Sequence, residues 1–267
     1  MAKPLLDDGL WERIRPLLPE RGPRRFRYPG RKRIDDRKVL TGILFVLKTG
    51  IPWEELPCEL GCGCGMTCLN RLKDWHEAGV WHRLHQLLLS ELRGAGELDW
   101  SRATADASFA RALGGGEKTG PNPTDRRKPG SKHHILTDAN GIPLATQLTA
   151  ANVNETTQLV SLVDAVPPVG GKPGHPRRRP ESLYADRAYD AKSNRRRLRD
   201  RGIEPFIPKQ RAPHGSGLGV VRWVVERTVS WLHGFRKLRL RTDWRSEIQE
   251  AFLTLATAVI CYRFVDP

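Results

Sequence analysis

Apolar residues recur at three- and four-residue spacing through the first third of the chain. Leu10, Ile14, Leu17 and Leu18 form one stripe, capped by Asp7 or Asp8 and stopped by Pro19. Val39, Leu40, Ile43, Leu44 and Leu47 form a second, capped by Asp35 or Asp36 and ended at Gly50. Two more helical patterns, Met66 to Glu77 and Val80 to Arg93, meet at Gly79. The spacing predicts a compact helical domain over 1–95. Helix, turn and helix beside the Arg-rich stretch Arg21 to Arg33 suit major-groove DNA binding, and equally a plain helical bundle.

After Trp100 the period shortens. Arg102 to Phe109, Lys132 to Thr137 and Ile142 to Thr149 read as strands, the last two joined by the hairpin turn Asp138-Ala-Asn-Gly. Asn154 opens a helix through Val163, and Ser182 to Ala185 is a short strand. Asp190 caps a basic helix to Arg201, and Glu204 to Pro208 is the next strand. Two helices, about 220–240 and 246–264, close the chain. Three strands able to pair antiparallel, followed by helix, strand, helix, strand and helix, are the element order of a ribonuclease H-like α/β fold. That fold, a mixed sheet with flanking helices, is expected over 96–267.

Charge sharpens this picture. The 267 residues carry 45 Lys and Arg against 30 Asp and Glu, a formal +15. The excess is concentrated: residues 172–241 hold 19 basic and 6 acidic groups, including Arg177-Arg178-Arg179 and Arg195-Arg196-Arg197. A localised basic track of this size suits a phosphate backbone, with binding that weakens steeply as salt rises. The loop Gly120-Pro-Asn-Pro-Thr-Asp-Arg-Arg-Lys reads as a flexible phosphate contact through Arg126, Arg127 and Lys128, with Lys132 on the strand behind it. The longest largely apolar stretch, Ala251 to Tyr262, has 12 residues, where a membrane-spanning helix needs about 20. Asp7 and Asp8 interrupt any apolar leader, and five cysteines, four of them between Cys58 and Cys68, do not resemble a secreted disulfide framework. A reducing cytoplasm is the expected location.

Phosphodiester chemistry without a side-chain nucleophile needs two divalent metals held by carboxylates. Asp106 lies on the first strand, and Asp186 follows the strand Leu183-Tyr184-Ala185 at its carboxyl end, where open α/β sheets place ligands. Glu226 shares a polar helix face with Arg222 and His233, away from the stripe of Val221, Val224, Val225 and Leu232. Each has a plainer reading: a strand acid, a partner for Arg187 or Arg199, and an i,i+4 partner for Arg222. Asp138, Asp190 and Asn154 read as turn or cap residues.

Four segments in order, Thr104-Ala-Asp-Ala-Ser, Gly130-Ser-Lys-His-His-Ile-Leu-Thr-Asp-Ala-Asn-Gly-Ile-Pro-Leu, Tyr184-Ala-Asp-Arg-Ala-Tyr-Asp and Arg222-Trp-Val-Val-Glu-Arg-Thr-Val-Ser-Trp-Leu, resemble bacterial transposases of insertion-sequence family 5. Gly50-Ile-Pro-Trp-Glu-Glu-Leu-Pro, Trp75 and Val80-Trp81 are similar to that family's helical leader, so the likeness spans nearly the whole chain. The resemblance implies an Asp-Asp-Glu enzyme that binds its terminal inverted repeats, cleaves DNA and joins the freed 3′-OH to target DNA. It implies Asp106, Asp186 and Glu226 as ligands of two Mg²⁺ ions, with Mn²⁺ as a substitute, and a homodimer or larger assembly on double-stranded DNA. In related enzymes this helix carries Tyr-Arg-Glu-Lys: Arg222 and Glu226 match, Gly219 stands at the Tyr place and His233 at the Lys place. Lys237, one turn on, is the replacement cation for DNA. The alternatives are a non-catalytic DNA-binding relative and a nuclease that cuts without joining.

The run Cys58-x3-Cys62-x-Cys64-x3-Cys68 has four thiols, enough for tetrahedral zinc, but its spacing departs from the usual paired motif, and it reads as small residues in a Gly-rich turn. Cys261 falls on an apolar helix and reads as core. His133 and His134 alternate on a strand, so at most one can face DNA.

Overall fold

The computed structural model describes residues 4–20, 22, 26–27, 32–209 and 219–266, with 219 and 220 described by backbone only. Much of the stretch Arg21 to Arg33 therefore lies outside the described residues.

Helix α1 (Asp8–Ile14) starts where the Asp7 carboxylate accepts the Leu10 N–H, and α2 (Asp36–Thr49) where Asp35 accepts those of Arg37 and Lys38. Gly50, at φ 73°, ends α2 in the left-handed conformation that a Cβ disfavours. Helices α3 (Gly65–Glu77) and α4 (Val80–Ala95) complete the leader. The chain then forms β1 (Ala103–Ala112), β2 (Gly120–Pro121), β3 (Pro129–Thr137) and β4 (Pro143–Ala150), followed by α5 (Glu155–Asp164), β5 (Ser182–Ala185), α6 (Lys192–Arg199) and β6 (Glu204–Phe206). It finishes with α7 (Gly219–His233), α8 (Arg236–Arg239), β7 (Leu240–Arg241) and α9 (Ser246–Val265).

β4, β3 and β1 pair antiparallel, and β1, β5 and β6 pair parallel, giving the spatial order β4-β3-β1-β5-β6. This is the sheet of the ribonuclease H-like fold, with β2 extending the outer edge of β3 and β7 adding to the end of β1. Register assigns the faces. Asp106, Ile135 and Thr146 stand side by side on three strands. That face meets α9 at Thr146–Thr257 (3.4 Å) and α7 at Arg222–Asp106 (3.3 Å). The opposite face is covered by α5, through Ser161–Gln147 (3.1 Å) and the ion pair of Lys132 with Glu155.

α9 packs against both α4 and β4, so leader and sheet share one hydrophobic core containing Leu84, Leu88, Leu144 and Phe252. It is a 20-residue helix, longer than the apolar run alone suggests, and long and apolar enough to cross a membrane; 72% of its most apolar window is buried inside the protein, as a core helix requires. Two other expectations change. Asp190 does not cap α6, whose first residue is Lys192; its carboxylate instead accepts from Arg195 Nε and Nη2 (3.1 and 2.7 Å). The single helix expected over 220–240 breaks at Gly234, where α7 ends and Phe235 turns the chain into α8.

Three histidines are sealed in this core. Burial lowers His85 to about 4, His133 to about 3 and His134 to about 4, so the folded protein keeps them neutral. The unfolded chain binds a proton at each below about 6.5. Their stabilising contribution is therefore complete above that pH and is lost as pH falls toward 4, at about 1.4 kcal/mol per pH unit for each histidine. Urea unfolding from pH 7 to 4 is expected to show this loss, with a shallower slope in His133→Gln; an identical slope in the variant contradicts the assignment.

Candidate functional site

Three acids from distant parts of the chain converge beside the central strand. Asp106 sits mid-strand on β1, one position beyond the last paired residues Ala105 and Ala185, so Asp186 emerges next to it at the end of β5. α7 crosses this face and brings Arg222 and Glu226 over the pair. Burial pushes the Asp106 carboxyl up from its ordinary value, and the negative charges of Asp186 and Glu226 add to the rise. The Ala107 N–H (2.8 Å) and the Arg222 guanidinium oppose it. Asp186 Oδ1 accepts the Ala188 N–H (2.9 Å), capping the short turn Arg187–Tyr189. Glu226 is exposed, on the solvent side of Val225.

Two of the plainer pairings are not what the fold adopts. Arg222 donates to Asp106 rather than pairing with Glu226, and Arg199 pairs with Glu204 (3.1 Å) rather than with Asp186. The oxygen-only donor set, three carboxylates without thiol or imidazole, suits a hard divalent cation. Among the described residues no three His, Cys, Asp or Glu side chains stand in ligand geometry.

The proposed DNA contacts separate into two groups. Arg126 and Arg127 are exposed, at φ 48° and 60°, on a loop closed by Asn122 N–H to Lys128 O (2.9 Å) and Arg127 N–H to Asn122 O (3.0 Å). The loop is thus a turn closed on itself by backbone hydrogen bonds, with Lys128 half-buried at its end. Arg178, Arg179, Arg196 and Arg197 are also exposed. Lys132 and Lys237 are not available to DNA. Lys132 is 2% exposed, ion-paired with Glu155 and bonded to Val153 O (2.8 Å). Lys237 is 1% exposed and paired with Asp243 at 3.0 Å. Each lies where its element turns inward, and a buried ammonium requires a fixed counter-charge.

His233 is half-buried at the end of α7, and burial lowers its pKa, which leaves it neutral and unsuited to replace a lysine. His133 and His134 are both fully buried, so neither faces DNA: His133 lies against Gln249 (3.3 Å) and His134 against Thr149 (2.9 Å). The cysteines diverge. Cys62 and Cys68 are buried with their sulfurs over Gly42, where even an added Cβ would clash, while Cys58 and Cys64 are exposed. Sequence reasoning did not single out Tyr189, which lies buried beside the acids; its only signal was its place in the segment Tyr184 to Asp190.

Comparison with known proteins gives two family matches. Residues 99–261 match the family described as "Transposase DDE domain", and residues 6–85 match "Putative transposase of IS4/5 family". A Burkholderia cepacia protein, "Putative transposase for insertion sequence element IS402", is 63% identical over 148 residues, which is 55% of this chain and 70% of the relative. A second from the same organism, "Insertion element IS402 uncharacterized 16.2 kDa protein", is 57% identical over 129 residues, 48% of this chain and 88% of the relative. Among solved structures, the Mos1 transposase paired-end complex with left transposon end aligns over 93% of this chain and 80% of its own, at 12% identity and a TM-score of 0.36.

Proposed function

Because the chain belongs to the transposases with a DDE domain and an IS4/5-type leader, we propose that it binds the terminal inverted repeats of its insertion sequence, cleaves DNA there and joins the freed ends to target DNA. The observation that carries this reading is the convergence of Asp106, Asp186 and Glu226, close enough that the two other acids act on the titration of the first. These three are the catalytic and metal-holding residues of the proposal, and two Mg²⁺ ions, replaceable by Mn²⁺, are what they hold. The bound ions supply activation of the attacking oxygen and stabilisation of the leaving one.

The chain's own residues perform the rest. Asp106 and Asp186 are fixed to backbone, by the Ala107 and Ala188 N–H groups, so the rigid sheet sets their separation. Glu226 comes from a helix, which allows it to close on the pair. Arg222 balances the Asp106 carboxylate (3.3 Å) and stands where it would contact a DNA phosphate if the acids held cations. Arg126, Arg127, Lys128 and the exposed arginines of 177–179 and 195–197 follow the phosphate backbone, while the leader, residues 1–95, engages the repeat. Holding two ends at once calls for a homodimer or larger assembly on double-stranded DNA, inside a bacterial cytoplasm.

The test is incubation with Mg²⁺ or Mn²⁺ and DNA carrying the flanks of its own gene, with strand breaks mapped to the nucleotide. Discrete cuts at a pair of inverted repeats, followed by joined products, are expected. Binding without cuts identifies a non-catalytic DNA-binding relative, and cuts without joining identify a nuclease.

A further inference from the structure

Tyr189 presents a feature that the fold alone does not account for. Its side chain is 1% exposed, among the largest fully buried groups of the described residues, and among these its hydroxyl has no hydrogen-bond partner. A buried hydroxyl left unpaired is costly, and native folds rarely keep one without a use. Its position is tightly held. Tyr189 closes the turn that Asp186 caps, its N–H donating to Asp186 O (3.1 Å), and the Asn194 side-chain amide donates to its carbonyl (3.1 Å). The phenol sits in the field of Asp106, Asp186 and Glu155, and of these Glu155 is already engaged by Lys132. Asp106 and Asp186 each have one carboxylate oxygen committed to a backbone N–H.

We infer that Tyr189 is a positioning residue for divalent-cation binding: when a cation draws Asp106 and Asp186 together, the Tyr189 hydroxyl donates to a carboxylate oxygen of that pair and fixes its orientation. The inference rests on the proposed role of the three acids. Among the described residues the acids stand outside ligand geometry and the hydroxyl has no partner, so a shift that brings a carboxylate of the pair within reach of the phenol would give the hydroxyl one. Groups that orient a ligand in this way commonly change metal affinity by tenfold or more when removed.

Tyr189→Phe deletes one oxygen and keeps the ring, so it separates this role from packing. Mn²⁺ binding to the full chain, followed by the resonance signal of the free ion, is expected to weaken about tenfold in Tyr189→Phe and to be lost in Asp186→Asn. Without metal, the urea midpoint of Tyr189→Phe should equal or exceed that of the natural chain, because an unpaired buried hydroxyl has been removed. Equal Mn²⁺ affinity in Tyr189→Phe overturns the inference while leaving the acids their role. A lower metal-free midpoint also overturns it, since the hydroxyl then already has a partner. No Mn²⁺ binding by the natural chain, or equal binding by Asp186→Asn, overturns the reading of the acids and this inference with it.

Discussion

Asp186→Asn is expected to lower DNA cleavage and joining by about a thousandfold or more while leaving DNA binding largely intact. The substitution is nearly isosteric, and Asn can still accept the Ala188 N–H that Asp186 Oδ1 now accepts, so the Arg187–Tyr189 turn keeps its cap. What disappears is one negative charge from a site whose donors are all carboxylates. That loss weakens cation binding, and it also relieves Asp106 of a neighbour that raises its pKa. In the proposed reading DNA affinity draws instead on arginines spread over other elements, so a gel-shift comparison on the same DNA should show bands of similar strength. Cleavage retained within tenfold of the natural chain refutes the assignment of Asp186; equal loss of binding and cleavage indicates a folding defect, which the unfolding midpoint checks.

The second large effect concerns stability. Lys237→Ala is expected to destabilise the fold by about 3–5 kcal/mol, the usual cost of stripping one partner from a buried ion pair. Lys237 lies over the rings of Trp53 and Phe252, donates to the Thr242 hydroxyl (2.8 Å) and neutralises Asp243, itself bonded to Trp53 Nε1 (3.3 Å). Without the lysine, the Asp243 carboxylate stays buried without its ion-pair partner, with only the guanidinium of Arg241 nearby. The urea midpoint should fall sharply, and the folded fraction should bind DNA as before. A natural midpoint with weakened DNA binding would return Lys237 to the DNA surface. The pair also links the leader, through Trp53, to the end of the sheet, so the variant is expected to loosen both parts in a single transition.

The local elements were legible because their signals are local. Asp7, Asp35 and Asn154 cap the helices they precede, and the Asp138 turn joins two strands, since each depends on hydrogen bonds a few residues away. The one cap that misled was Asp190, whose carboxylate pairs with Arg195 (2.7 Å) instead of capping α6. The break at Gly234 falls where Phe235 turns inward to the core, a demand set by the sheet rather than by helix propensity.

By itself the sequence determined most of the element order, the helical leader, the excess of basic charge and the three candidate acids, because periodicity, composition and residue type are written along the chain. Tertiary structure decided which charges meet water and which meet each other. Lys132 and Arg126 carry the same charge, yet one is sealed against Glu155 and the other stands in solvent. Arg222 finds Asp106 across the fold rather than Glu226 one turn away. Counter-charges, burial and an unpaired phenol depend on which faces pack together. That information enters only when distant elements are brought side by side, where desolvation makes the choice of partner energetically large.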